Sequence, residues 1–293
     1  MSPSAGSGPS AGSEPADRLE ELAVRLREAD LPPAGPELFV ALDIDGTLVR
    51  SDGSLSPRVG RAVAGHLRAG TRMSLATGRG LPGMRQALDF AGMREGVGVC
   101  SNGAITVDLD PYRLRRAHTF DPAPELEVLR AALPDAIYMV EFVDEPRRLT
   151  ADFPPGELTG PSVIVPFEEL APGRATRITV RVPGMDPREL SSIIRGLELT
   201  GVDYPAGWAA WVDISPRGVS KAAALQEVRE EVGAAATVAA GDGANDVEML
   251  RWATFGVAMG GADPEAVEAA DAQTASSDDD GVAILLELLL RRG

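Results

Sequence analysis

Hydrophobic residues in this chain gather into short unbroken runs, and the runs end in polar residues of a restricted kind. Leu38-Phe39-Val40-Ala41-Leu42 passes directly into Asp43-Ile44-Asp45-Gly46-Thr47-Leu48. Arg72-Met73-Ser74-Leu75-Ala76 passes into Thr77-Gly78-Arg79, and Ala236-Thr237-Val238-Ala239-Ala240 into Gly241-Asp242-Gly243-Ala244-Asn245-Asp246. Another apolar stretch precedes Cys100-Ser101-Asn102-Gly103-Ala104. Runs of this length without polar alternation predict strands buried on both faces, the habit of parallel sheets. A helical stretch, Ala222 to Val232, is opened by Ser220-Lys221 and closed by Gly233. The pattern predicts an α/β fold with its chemistry at the carboxyl ends of the strands, where open parallel sheets bind ligands.

The middle of the chain follows another rhythm. From about Asp121 the expected elements are a helix over Glu125 to Leu133, strands over Ile137 to Val143, Ser162 to Val165 and Thr176 to Val182, a helix over Pro187 to Leu199 and a strand over Ala209 to Ile214. Thr176-Arg177-Ile178-Thr179-Val180-Arg181-Val182 alternates polar with apolar, which predicts a sheet with one wet face. The insert therefore reads as an antiparallel sheet backed by helices. The stretch Asp144 to Pro161, rich in Pro, Asp and Arg, reads as a solvated loop, within reach of a site but needing none. At the other end, residues 1–16 form a Ser/Ala/Gly/Pro tract of disordered composition. Leu19, Leu22, Ala23 and Leu26 then keep helical spacing up to Pro32-Pro33, an amphipathic helix expected to pack on its own core.

The strand ends carry the candidate chemistry. Asp43 and Asp45 sit close enough to repel, so the pair implies a hard metal ion or an acid/base couple. An Asx-type turn at Gly46 would account for one of them only. Asp242 supplies a third carboxylate for the same cation. Thr77 with the Gly78 and Arg79 amides suits an anionic oxygen. Lys221 opposes the dipole of its own helix, so it needs an anion nearby or points into water, and from the residues alone water is the simpler reading.

DIDGTL, ATGR, the Lys221 helix and GDGAND, in this order, resemble motifs I to IV of the haloacid dehalogenase superfamily of phosphohydrolases. Cys100-Ser101-Asn102-Gly103-Ala104 and Ile214-Ser215-Pro216-Arg217-Gly218-Val219-Ser220-Lys221 resemble the Cof-type subfamily, whose members carry a large α/β (class IIB) cap between motifs II and III. The resemblance runs from about Glu37 to the C-terminus. It implies a Rossmann-like, doubly wound parallel-sheet core with an inserted α+β cap. It implies a core over 37–120 and 205–293 and a cap over 121–204 that closes over substrate and supplies specificity, and it leaves the tail over 1–16 and the helical extension over 17–36 without a counterpart.

Site roles follow from the same resemblance. Asp43 would be the nucleophile, forming an aspartyl phosphate, and Asp45 the general acid and then base. Thr77, Gly78, Arg79, Asn102, Lys221 and Asn245 would hold the phosphate or substrate, Lys221 offsetting the charge of Asp43. Mg²⁺ would be held by the Asp43 carboxylate, the Asp45 backbone carbonyl and the Asp242 carboxylate, with Asp246 orienting Lys221 or a metal-bound water. Transport ATPases resembling this core have threonine at the Asp45 position and a long-lived aspartyl phosphate. A carboxylate there implies rapid hydrolysis or transfer to another hydroxyl.

Composition removes several other classes. With 293 residues, 44% of them hydrophobic, the chain suffices for one large domain with an insert. Its formal net charge of −16 disfavours nucleic acid and anionic membranes. A single cysteine, Cys100, excludes an internal disulfide framework and fits a reducing cytoplasm, and its place in a core strand predicts an inert buried thiol. His66 and His118 leave no histidine-rich metal site, and both are expected in packing or surface roles. No GxxxxGK[ST] loop is present, and the apolar stretch Ile284 to Leu290 is too short to span a bilayer. Trp208, Trp211 and Trp252 read as packing residues. The expected activity is Mg²⁺-dependent hydrolysis of a small phosphomonoester, a sugar phosphate or another phosphorylated metabolite, by a monomer or homodimer. A phosphomutase or phosphotransferase using the same intermediate, and a phosphate-binding module, are the alternatives.

Overall fold

The computed structural model describes residues 15–91, 93–143, 145–153, 158, 160–197, 199, 202–203 and 211–292. Among them, residues within 1–76, 89–96 and 225–293 form one compact unit, and those within 77–88 and 97–224 a second.

The first unit is built on parallel strands in the order Ala272–Gln273, Phe255–Ala258, Ala236–Gly241, Leu38–Asp43, Arg72–Ala76. Leu38–Asp43 and Ala236–Gly241 are buried at every position, as unbroken apolar runs require. The helix Pro57–Ala69 is bounded by chemistry legible in its ends. Ser56 accepts from the Arg58 and Val59 amides, and Gly70 closes it at φ 79°, a left-handed conformation that costs glycine little. His66 on this helix is buried between the Thr71 hydroxyl and the Leu286 carbonyl. Burial lowers its pKa, so the ring is neutral and structural. Trp252 stacks edge-on against Phe39 and donates to Gln226, a packing role as expected. The N-terminal helix, Pro15–Glu28, begins within the expected tail, because Pro15 fits the first helical turn. It buries Leu22 and Leu26 and is fastened by Arg25 to the Asp271 carbonyl and by Arg18 to Gln273. Residues 1–14 lie outside the described residues, as do residues 204–210 and with them Trp208.

The second unit has an antiparallel ribbon, Val97–Cys100, Ile105–Leu109 and Tyr112–Ala117. Cys100 is fully buried, and burial pushes its thiol pKa well up, so it is inert. A six-stranded sheet follows in the order Val202–Asp203, Trp211–Pro216, Arg177–Arg181, Ile137–Glu141, Arg147–Leu149, Ser162–Ile164. All neighbours are antiparallel except the last pair. Its strands come from both sides of the expected 204/205 boundary, since Trp211–Pro216 pairs with Arg177–Arg181. The helices Ala123–Ala132 and Pro187–Arg195 back it with Leu126, Leu129, Leu190 and Ile194 against Val140, Ile178 and Val212.

Two expectations about this sheet are corrected. Two of the three polar positions of Arg177–Arg181 do not face water: Arg177 and Thr179 are buried, because acids on neighbouring strands pair with them, while Arg181 is half-buried. The stretch taken as a solvated loop holds the strand Arg147–Leu149, with Arg147 and Leu149 buried; Asp144, residues 154–157 and residue 159 lie outside the described residues.

Candidate active site

In the first unit the strand Leu38–Asp43 delivers Asp43 to its carboxyl end at 4% exposure. The chain then turns sharply, with the Leu48 and Val49 amides both donating to the Ile44 carbonyl at 3.0 and 2.9 Å. Asp45 is exposed on this turn. Gly46 adopts φ 73°, and a Cβ placed there would run into the Asp242 carboxylate. Only glycine lets the two loops approach this closely.

The neighbouring strand Ala236–Gly241 ends one residue before Asp242. Asp246 folds back over that end, and its Oδ2 accepts from the Asp242 and Gly243 amides at 3.0 Å each. A Cβ on Gly241 would lie 2.5 Å from the Asp246 Cγ, so this glycine too is needed for space. Asp263 was not anticipated from the sequence. It accepts from the Ala244 amide at 3.1 Å, and its own amide donates to the Asp242 carbonyl at 2.8 Å. Burial lifts the Asp263 pKa, and the charges of Glu265 and Asp246 add to the effect.

Asp43, Asp242 and Asp246 each offer one carboxylate oxygen within 4.8 Å of the others. Three acids packed so closely repel one another unless a cation joins them, and an all-oxygen donor set suits a hard divalent ion. The residues therefore fit the metal ion that the resemblance implies. Asp246, with one oxygen engaged by two amides, has a clear part in shaping the loop. The Asp45 carboxylate is not among the three. Asn245 is half-buried on the same loop.

The second unit gathers the remaining candidates. The Thr77 amide donates to the Val99 carbonyl at 2.8 Å, and its hydroxyl accepts from the Arg79 amide at 3.0 Å. The Ser101 amide reaches the Arg79 carbonyl and the Asn102 amide the Thr77 carbonyl, at 2.8 and 3.1 Å. Ser101 and Asn102 hold φ of 48° and 54°, a conformation that side chains disfavour and that the surrounding bonds impose. Thr77, Gly78, Arg79 and Asn102 thus form one loop cluster. A Cβ on Gly103 would collide with the Ser220 carbonyl, which ties this cluster to the start of the helix Lys221–Val232. Lys221 is only 1% exposed, so the reading of a solvated lysine is corrected. An ammonium buried this deeply is tolerated only beside negative charge.

A buried ion cluster that the sequence did not disclose supports these loops. Arg177 donates to Glu141 at 2.8 Å, to Asp213 at 2.9 Å and to the Gly78 carbonyl at 2.7 Å. Asp213 accepts in turn from Asn102 at 3.2 Å and Thr179 at 2.7 Å, and Glu141 accepts from the Ser101 and Thr176 hydroxyls. Burial works against both charges of the Glu141–Arg177 pair. Arg177 nonetheless holds the Glu141 carboxyl below its ordinary pKa, and Asp213 and Glu141 raise that of Arg177. Arg177→Met would strand the buried Glu141 carboxylate and the partly buried one of Asp213, and should lower stability by about 3–5 kcal/mol, read as a fall in the urea midpoint. An unchanged midpoint would show the cluster to be energetically idle.

The chain matches the family model described as haloacid dehalogenase-like hydrolase over residues 40–139 and 182–286, well over half its length. A putative phosphatase of Mycoplasma pneumoniae is 38% identical over 100 residues, a span covering 33% of either chain. The putative phosphatase YxeH of Bacillus subtilis is 26% identical over 285 residues, covering 87% of this chain and 99% of that one. The fold resembles that of a solved subclass IIB sugar phosphatase, BT4131, with a TM-score of 0.72 at 21% identity over 85% of this chain and 97% of the other. None of the helices among the described residues is long and apolar enough to cross a membrane. The chain belongs to the haloacid dehalogenase-like hydrolases, with the segment pattern of the Cof-type branch, and is a hydrolase of phosphate esters.

Proposed function

We propose that the protein is a Mg²⁺-dependent phosphatase that hydrolyses a small phosphomonoester, a sugar phosphate or another phosphorylated metabolite, through an aspartyl phosphate on Asp43. The observation that carries this reading is the meeting of Asp43, Asp242 and Asp246 at a strand end, with Asp45 exposed two residues on. Asp43, Asp242 and the Asp45 carbonyl would hold Mg²⁺, which supplies positive charge against the phosphoryl oxygens and the nucleophile. Asp246 and Asp263 keep the Asp242 loop in place for that purpose.

In the first step an Asp43 carboxylate oxygen bonds to phosphorus as the bond from phosphorus to the substrate oxygen breaks. The Asp45 proton passes to that leaving oxygen. In the second step Asp45 takes a proton from water, whose oxygen attacks phosphorus. The bond from phosphorus to Asp43 breaks, and inorganic phosphate and both starting carboxyl groups are restored. Thr77, the Gly78 and Arg79 amides, Asn102, Asn245 and Lys221 serve as donors to the phosphoryl group and substrate. Positioning and charge neutralisation are the main protein contributions to such transfers. The insert from about 121 to 204, with Trp211–Pro216 completing its sheet, is the cap in this reading.

A phosphate-release panel across sugar phosphates and other small phosphomonoesters, run with Mg²⁺ and with excess chelator, tests the proposal. Turnover of one or more of them only with the metal is expected. Release that is undiminished in chelator, or no release from any ester, would overturn it.

A further inference from the structure

Arg147 is buried to 7% exposure on the short strand Arg147–Leu149, yet among the described residues its Nη2 has no hydrogen-bond partner; nor does the buried Nε of Arg177. The acids beside them are already engaged. Arg177 takes Oε2 of Glu141 and, together with Asn102, Oδ2 of Asp213, while Ser101 and Thr176 donate to Oε1 of Glu141 and Thr179 to Oδ1 of Asp213. Arg147 feels the Glu141 charge, and that of Arg177, while its Nη2 finds no partner among the described residues. Burial accordingly pushes its pKa below the usual value.

The two guanidiniums also lie next to the loop assigned to the phosphate. A Cβ on Gly80, the residue after Thr77-Gly78-Arg79, would stand 2.7 Å from Glu141 Oε2. A Cβ on Gly160 would lie 2.7 Å from the Pro82 ring and 3.1 Å from Arg147 Nη2. Arg147 Nη2 therefore stands beside the first turn of the helix Leu81–Ala91, and the Arg177 guanidinium beside the Gly78 carbonyl, within the same unit.

We infer that Arg147, with the Nε of Arg177, forms a subsite for an anionic oxygen group on the organic part of the substrate. The substrate class is then phosphomonoesters bearing a second negative group, a carboxylate or another phosphate. The planar fork of a guanidinium matches both, and an anion there would fill the donors that Glu141 and Asp213 leave open. This specificity assignment rests on the proposed phosphatase function. The competing role for Arg147 is balance of the Glu141 charge alone.

Matched substrates separate the two. Wild-type kcat/KM is expected to favour a phosphorylated hydroxy acid over its carboxyl methyl ester, or a bisphosphate over the corresponding monophosphate, by about 10- to 100-fold, the worth of a charged hydrogen bond. Whichever pair shows the preference identifies the carboxylate or the phosphate. Arg147→Met should bring that ratio to about 1, and Arg147→Lys, which keeps the charge without the fork and guards against misfolding, should recover part of it. A wild-type ratio near 1 in both pairs, or a ratio unchanged in the folded variants, would overturn the subsite. If the wild-type protein released no phosphate from any ester, the phosphatase reading itself would fail. The subsite would then be decided by binding: phosphonoacetate should raise the melting temperature more than its carboxyl methyl ester in wild type but not in Arg147→Met. Equal shifts in both proteins would refute it.

Discussion

Replacing Asp43 by asparagine is expected to reduce phosphate release by a factor on the order of 10⁴ or more, the scale seen when a covalent nucleophile is removed. An amide oxygen is a weak nucleophile, and the substitution also takes a negative charge from the three-acid cluster that would hold the metal. Both effects act on the same step. Because Asp43 sits at the very end of a strand buried along its length, the isosteric change leaves Leu38 to Leu42 packed, so the urea midpoint should move little while turnover disappears. Steady-state assays with an aryl phosphate at saturating Mg²⁺ read this directly. A variant within about tenfold of wild type would remove Asp43 from the nucleophile role.

Asp45→Asn is expected to cost about 10²- to 10⁴-fold, the usual worth of general acid/base catalysis. Asp45 is exposed and stands outside the carboxylate cluster, so its loss spares the metal ligands and the strand. The effect should depend on the leaving group. A phosphate donor whose leaving group hardly needs a proton should still phosphorylate Asp43, while hydrolysis of the intermediate stalls. A phosphomutase would instead return the phosphoryl group to an organic hydroxyl, and a binding module would do neither. An Asp45→Asn enzyme with unaltered turnover would end the acid/base assignment.

Much of the site was legible because its residues lie next to one another in the chain. Buried strands announce themselves by unbroken apolar runs, and acids placed at their ends cannot be explained by packing. Asp43 and the Asp242 to Asp246 loop were readable for that reason, as was the turn glycine Gly46. Lys221 was legible only through the motif resemblance, since local sequence cannot tell a lysine pointing into water from one pointing into a charged interior. The same ambiguity hid the Glu141, Arg177 and Asp213 cluster. These residues are 36 positions apart in each pair that meets, and on an alternating strand a charged residue looks like a solvent-facing one. Their burial is decided by partners on neighbouring strands, which no local pattern encodes. Asp263 was missed likewise, because its task is to brace a loop and only the folded backbone shows which amide it meets.

The covalent intermediate is the most direct measure of the mechanism. Asp45→Asn incubated with acetyl phosphate and Mg²⁺, quenched in acid and digested, should carry an added phosphoryl mass on the peptide containing Asp43, labile to hydroxylamine. The wild-type protein should show only released inorganic phosphate. Phosphate found on another residue, or an Asp45→Asn protein that never acquires the label while the fold is intact, would contradict an aspartyl phosphate at Asp43.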